Sequence, residues 1–232
     1  MRLATWNCNG ALRKKLDQAD SLAADILVIQ ECEDPAQSTC PEYRAWAGDY
    51  AWIGYGKNKG IGIFSKSGLP LVKLPWLTDR WEIFLPVKLG SGMKILAVWT
   101  QHATPSAYGY IGQFWHYLQL NRHLLDAQTL IAGDFNSSSI WDNPRSAWNH
   151  SDCVADLSKL GFESAYHFWT GETQGAEQRP TFYLHRHQSK PYHIDYVFAH
   201  RSLLDPLQSA VNVGDPAVWL PYSDHMPVVV NL

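Results

Sequence analysis

The chain holds 232 residues, 46% of them apolar, and 19 Lys and Arg against 22 Asp and Glu give a formal net charge of −3. Length and apolar content are enough for a full core and fall within the range of one large α/β or all-β domain, so a single domain spanning 1–232 is expected. The mild acidity excludes the basic footprint of a tight sequence-independent DNA binder, so a polyanionic substrate would have to be met by a local basic patch or a metal ion.

Residues 1–10 carry no basic leader followed by an apolar core, and no later run approaches the roughly 18 apolar residues of a membrane span. A soluble, cytoplasmic monomer without membrane attachment is therefore expected. The first element is a strand over residues 3–6, ending in Asn7-Cys8-Asn9-Gly10. Leu12, Leu16, Ala19, Leu22 and Ala23 recur at three- and four-residue spacing and predict a helix over 12–24. Residues 25–31 read as a buried strand closed by Glu31, and the strand–helix–strand order implies a parallel pair with a right-handed crossover. The Pro-, Asp- and Ser-rich stretch 33–50 is expected to be a loop with some local structure. Strands at 51–55, 60–65, 82–89 and 94–100 follow, divided by turn sequences such as Lys57-Asn58-Lys59-Gly60 and Gly90-Ser91-Gly92, whose shortness favours antiparallel hairpins.

A second helix is predicted over 106–127, with Ile111, Phe114, Trp115, Leu118 and Leu125 inward. Leu130, Ile131 and Ala132 then form a short apolar run of the kind that suits a sheet covered on both faces. Gly133 is expected to let the backbone turn. If the chain stays extended a little beyond it, Asp134 and Asn136 leave on the same side. The rim outside the carboxyl ends of strands is where open α/β sheets place ligands, although an Asx-turn serving only local backbone would use the same two residues. Val154, Leu157 and Leu160 mark a helix capped by Ser151 and stopped by Gly161. Residues 164–192 show little pattern beyond a strand at 179–183. From 193 to 199, Ile194, Tyr196 and Phe198 alternate with His193, Asp195 and Val197, and the chain closes with a strand over 228–232. Two βα-rich halves, each opening with a strand that ends in Asn or Asp, predict two sheets packed face to face with helices outside.

Cys8, Cys32, Cys40 and Cys153 show no C-x-x-C spacing and are too few to staple the chain, so they are expected as reduced packing residues. Most of the eleven tryptophans are expected to fill the core, while those in loops, at Trp141, Trp148 and Trp219, are placed to stack on a base.

Polar or acidic residues recur at the ends of apolar strands: Asn7 and Asn9, Glu31, His102, Asp134 and Asn136, Asp195, and Asp224 with His225. Each alone has a structural explanation as a cap, a turn or a surface strand end. Together they imply one site, because unrelated surface residues have no reason to collect at the ends of successive strands. Before Asp195, the residues Arg179, His185, Arg186, His187 and Lys190 make the best basic patch in the chain, suited either to a phosphodiester backbone or to a solvated hairpin tip. Zinc held by His185, His187 and His193 is a weaker alternative, since no cysteine lies nearby.

The ordered motifs Thr5-Trp6-Asn7-Cys8-Asn9-Gly10, Gln30-Glu31, Gly133-Asp134-Phe135-Asn136, His193 to Phe198, and Ser223-Asp224-His225-Met226-Pro227 resemble the endonuclease/exonuclease/phosphatase superfamily over essentially the whole chain. The resemblance implies an α/β four-layer sandwich, two packed mixed β-sheets flanked by helices. It also implies a metal-dependent phosphoric ester hydrolase in which Glu31 ligates Mg²⁺ or Mn²⁺ with Asn9 and Asp224 nearby. Asp195 would orient and charge-stabilise His225, and Asp134 would position or deprotonate the attacking water. Asn7 and Asn136 would donate to phosphoryl oxygens, and His102 matches a phosphate-contacting histidine of the DNase I-like branch. AP endonucleases carry a tyrosine in this region, for which Trp99 is a poor chemical substitute. The expected function is a nuclease acting on DNA, endo or exo, with Arg179, Arg186, Lys190 and Trp141 on the substrate. The alternatives are a phosphatase or phosphodiesterase of a small metabolite or lipid headgroup, and a binding module without activity.

Overall fold

The apolar runs pair into sheets whose two faces are both covered. The structure is a computed structural model that describes residues 1–79, 83–146, 148–205, 207–208 and 210–232. In chain order, the elements are β1 (Arg2–Asn7), α1 (Leu16–Ser21), β2 (Ile26–Cys32), α2 (Pro41–Ala47), β3 (Asp49–Gly54), β4 (Gly60–Ser65) and β5 (Leu71–Lys73). Then come β6 (Phe84–Leu89), β7 (Lys94–Trp99), α3 (Ile111–Asn121), β8 (Thr129–Asp134), α4 (His150–Lys159), β9 (Phe162–Ser164) and α5 (Ala165–Thr170). The last are β10 (Phe182–Tyr183), β11 (Pro191–Tyr192), β12 (Asp195–His200), β13 (Ala210–Val213), α6 (Pro216–Trp219) and β14 (Val228–Asn231). Among the described residues, one six-stranded sheet has the order β13-β14-β1-β2-β4-β3 and the other β5-β6-β7-β8-β12-β9, with β10 and β11 as a separate ribbon. Both large sheets are mixed: β1 and β2 run parallel, as do β7 and β8, and the other pairs are antiparallel.

Two-residue periodicity sorts the core into layers. Ile95, Ala97, Leu130, Ala132 and Val197 share one buried cluster with Leu3, Val28 and Ile63 of the other sheet. The intervening Leu96, Val98, Ile131, Tyr196 and Phe198 face the second cluster, with Phe114 and Leu118 of α3 and Leu157 of α4. Asp134 and Asp195, in phase with Ala132 and Val197, therefore lie on the inner face where the sandwich opens at its rim.

Several expectations need correction. The helix expected over 12–24 is a 3-10 turn, Leu12–Lys14, and a short α1, broken at Lys15. There the ammonium reaches back to the carbonyls of Cys8 and Gly10, so a tertiary bond replaces helix propagation. Ala23, expected inward, is exposed at φ 48° just past α1. The second helix is likewise interrupted: a 3-10 turn at Ser106–Tyr108, then α3, then another at Arg122–Leu124. The 33–50 loop contains α2, opened by Pro41 in its first turn, a position where the missing N–H costs nothing. For α4 the cap is Asn149, not Ser151. Asn149 and Asp152 bond each other's backbone N–H reciprocally, which satisfies two otherwise orphaned donors. The strand at 179–183 shrinks to β10, and Glu82, placed in the strand at 82–89, lies outside the described residues. Gly133 makes no turn: it sits inside β8 at φ 152°, where an added Cβ would lie 1.8 Å from the Val98 carbonyl oxygen. The four cysteines are unpaired, as expected. No helix of the described residues is long and apolar enough to cross a membrane.

Candidate active site

Antiparallel pairing of β12 with β8 sets Asp195 directly opposite Asp134, and parallel pairing of β7 sets Trp99 beside Asp134. Asp195 thus reaches the rim at the start of its strand, because that strand runs the other way. Around these two acids the chain assembles a hydrogen-bonded cluster. Asn7 at the end of β1 donates from Nδ2 to Asp134 Oδ2 at 2.9 Å and, more distantly, to Glu31 Oε1 at 3.4 Å. His225 Nδ1 lies 3.0 and 3.2 Å from the two oxygens of Asp195, and its Nε2 lies 3.9 Å from Asp134 Oδ2. The loop carrying His225 is pinned on both sides. Ser223 Oγ donates to the Asn7 carbonyl at 2.7 Å and accepts from His225 N–H at 3.0 Å, while Trp6 Nε1 donates to the His225 carbonyl at 3.1 Å.

Asn136 converges on Asp134 differently from expectation. Its backbone is not extended but left-handed, at φ 45°. Its N–H and its Nδ2 both reach the Asp134 carboxylate, at 2.9 and 3.0 Å. Nδ2 also donates to the Thr100 carbonyl at 2.9 Å. The Asx-turn and the convergent site are therefore the same structure, and both amide hydrogens of Asn136 already have acceptors within the protein.

Glu31 sits at a bulge: the β2–β4 register shifts between Gln30 and Cys32, with Glu31 at φ 62°. Such bulges re-aim a side chain, and this one turns Glu31 into a cleft of about 390 Å³ shared with Tyr55, Lys59, Gln101, His102 and Asn136. Lys59 Nζ lies 3.0 Å from Glu31 Oε2 and 5.5 Å from the centre of the Trp99 ring. Across the site, Asn9, also left-handed at φ 52°, donates to Asp224 Oδ1 at 3.1 Å. Positive φ at Asn9, Glu31 and Asn136 is backbone strain of the kind concentrated at functional sites.

Burial dominates the electrostatics. It pushes the wholly buried Asp134 carboxyl above the usual carboxylate range, with Asp195 adding to the rise and His225 and Asn7 opposing it. Burial works against a charged His225, yet the adjoining Asp195 and Asp134 carboxylates overcome it and push the imidazole up to about 10. Two places could hold a cation. Asp134, Asp195 and His225 offer ligand atoms all within 4.8 Å of one another, but His225 Nδ1 there is already committed to Asp195. The second candidate is the expected set of Glu31, Asn9 and Asp224, in which Asn9 and Asp224 are hydrogen-bonded to each other and whose oxygen donors suit a hard divalent ion better.

Of the expected basic patch, His185, Arg186, His187 and Lys190 stay together at the exposed tip of the β10–β11 ribbon, and Arg179 leaves it. Arg179 lines a separate cavity with Tyr183, Gly214 and Asp215, because β10 and β11 separate it from the ribbon's far end. Arg186 and Lys190 are exposed there. Arg186 is close enough to Lys15 to depress the lysine's proton affinity, a minor effect beside burial, so both flank the Asn9 side. His185 and His187 are exposed while His193 is buried with Nδ1 against the Arg179 carbonyl, so the three histidines do not gather. Trp219 is buried against Trp6 at 5.1 Å and belongs to the core, whereas Trp141 is 49% exposed. Lys59, Tyr55 and Tyr110 were not anticipated. Pairing β2 with β4 would have found Lys59, since Cys32 registers with Gly60.

No curated protein matches the sequence. Among solved structures, an AP endonuclease from Archaeoglobus fulgidus superposes with a TM-score of 0.74 at 17% identity, covering 100% of this chain and 99% of that one. A 3'-5' exonuclease (NExo) from Neisseria meningitidis gives 0.71 at 20% identity, again covering 100% and 99%. The endonuclease domain of TRAS1, a telomere-specific non-LTR retrotransposon, gives 0.65 at 18% identity over 100% and 97%. These likenesses establish the fold expected from the motifs. A model of the endonuclease/exonuclease/phosphatase family, whose members are nucleases and phosphatases, matches residues 4–225, and the chain belongs to that family.

Proposed function

We propose that this chain is one catalytic domain, a divalent-metal-dependent phosphodiesterase that hydrolyses DNA. The observation that carries the reading is the single cluster of hydrogen bonds, with one His225–Asp134 ion-pair contact at 3.9 Å, that links Asn7, Asp134, Asn136, Asp195 and His225 at the open rim between the sheets. In-line attack on phosphorus needs a group that aligns and deprotonates water, positive charge on the equatorial oxygens, and neutral donors. Asp134 supplies the first: burial raises its proton affinity, and Asn7 and Asn136 fix its orientation. His225, held as imidazolium by Asp195, supplies charge and a proton donor beside Asp134. Asn7 is the freer of the two amides, because its bond to Glu31 is long. Asn136 would have to exchange a protein acceptor for a phosphoryl oxygen, so its main task is to hold Asp134. Glu31, Asp224 and Asn9 would hold Mg²⁺ or Mn²⁺, which when bound neutralises charge developing on the phosphoryl group. His102 and Lys59 line the same cleft, and Lys15 and Arg186 offer charge to the flanking backbone.

DNA is favoured as substrate by one neighbour, a 3' phosphatase (NExo) from Neisseria bound to a product DNA hairpin. Labelled single- and double-stranded DNA incubated with Mg²⁺ and Mn²⁺ tests the reading: cleavage is expected, and none beyond that of a Glu31→Ala control refutes it. A panel of phosphomonoesters and diesters run alongside separates DNA from a small phosphorylated substrate.

A further inference from the structure

Beside the charged cleft lies a second, larger cavity of about 550 Å³, within the roughly 300–1,000 Å³ typical of small-molecule sites. The two share Asn136 and Tyr110 as a common wall. Their chemistry is opposite. The charged cleft contains Glu31, Lys59 and His102, whereas no Lys or Arg lines the larger cavity among the described residues. Its walls are the rings of Tyr110, Trp141, Trp148 and Phe182, with serine hydroxyls from the loop after Asn136. Asp142 spends its carboxylate on the first backbone N–H groups of α4. His150, on the same wall, is kept neutral by burial, which lowers its proton affinity to about 4. Its Nδ1 is buried without a hydrogen-bond partner. Phe182 connects the cavity to the chemistry, its ring lying 4.6 Å from that of His225. Trp141 leans on Tyr192 at 5.0 Å, which holds an otherwise exposed indole upright at the rim.

Resting on the nuclease reading, we infer that this cavity receives an intact nucleobase of the nucleotide adjoining the scissile phosphate. A phosphate over Asn136 leaves its attached nucleoside one ring away from the cavity. Aromatic walls stack on any base through its π-face, and the absence of cations makes the space unsuited to a second phosphate. Serine hydroxyls on the wall meet the polar edge of a base. The nucleotide must therefore leave the stack, as bases do for enzymes that enclose them.

Three substrates test the inference with the full chain and Mg²⁺: an ordinary oligodeoxynucleotide, the same strand with a tetrahydrofuran abasic residue beside the scissile phosphate, and bis(p-nitrophenyl) phosphate. Two variants are compared with wild type, Trp141→Ala, which removes a stacking wall, and Ser106→Trp, which fills the cavity from an exposed lining position. Wild type is expected to prefer the base-bearing strand. Both variants are expected to lose at least about 10-fold more kcat/KM on it than on bis(p-nitrophenyl) phosphate, the scale of one lost base stack. Equal losses on both substrates, or a wild-type preference for the abasic strand, overturn the base pocket while leaving the nuclease reading intact. Turnover of bis(p-nitrophenyl) phosphate with no cleavage of either strand removes the nuclease reading and the base pocket with it, and spares only the phosphodiester chemistry.

Discussion

Replacing Asp195 with asparagine keeps the size of the side chain and removes the charge that holds His225. In the native arrangement the imidazole is pushed from 6.5 up to about 10 against the effect of burial. At 1.36 kcal/mol per pH unit, a rise of 3.5 units corresponds to about 5 kcal/mol favouring the imidazolium. Asp195, at 3.0 Å, is the nearer of the two carboxylates, with Asp134 at 3.9 Å. Without it, burial and the weaker Asp134 contact remain, and His225 is expected to titrate near or below 6.5. At pH 8 the imidazolium fraction would then fall to about 3%, and with lost orientation the rate should drop at least about 10²-fold. The loss should shrink on lowering the pH towards 6. The checks are an NMR titration of the His225 ring in EDTA, for native and Asp195→Asn protein, and rates on labelled DNA from pH 5.5 to 9. A His225 midpoint that stays above 9 in the variant, or a loss of activity equal at every pH, would refute the reasoning.

Asp134→Asn and His225→Ala should each lower turnover at least about 10²-fold, as expected for removal of a positioned proton-transfer group, and near-normal rates in either would misplace the site. Glu31→Gln should weaken Mn²⁺ binding and Lys59→Met should strengthen it, because the lysine ammonium competes for Glu31 Oε2; calorimetry showing no change in Lys59→Met would remove that competition. His150 tests the fold's response to acid. Its folded value, about 4, lies below the unfolded 6.5, so it costs nothing above pH 6.5 and destabilises progressively as pH falls from 6.5 to 4. The total is about 3 kcal/mol. His150→Gln should flatten that part of the melting-temperature profile, and parallel profiles for the two proteins would contradict it.

What the sequence revealed and what it concealed divide along one physical line. The run from Leu130 to Asp134 and the alternation from His193 to Ala199 were legible because period-two burial is written in consecutive residues. The acids at the rim were legible for the same reason: each terminates or begins such a run. The breaks in the first two helices were not, because they depend on the Lys15 ammonium reaching the Cys8 and Gly10 carbonyls and on Tyr110 N–H bonding Gln101. Asn136 shows the boundary well. Its partnership with Asp134 could be foreseen from spacing, but the left-handed turn that produces it could not. The basic residues near 179–190 were read as one patch because they are close in sequence, and the β10–β11 ribbon keeps residues 185–190 together at its tip while carrying Arg179 away from them.

Asp134 and Asp195 occupy facing positions on adjacent strands, where like charges ordinarily repel. The backbone ladder fixes that opposition, so no loop movement can relieve it. Neutralising Asp134, whose charged form burial and Asp195 both disfavour, should leave a protein that melts higher and works worse, whereas neutralising Asp195 also strips His225 of its nearer carboxylate and should not raise the melting temperature. A selection for thermostability alone would therefore tend to erase Asp134, a residue on which turnover depends, and screens on this scaffold need an activity gate at every round.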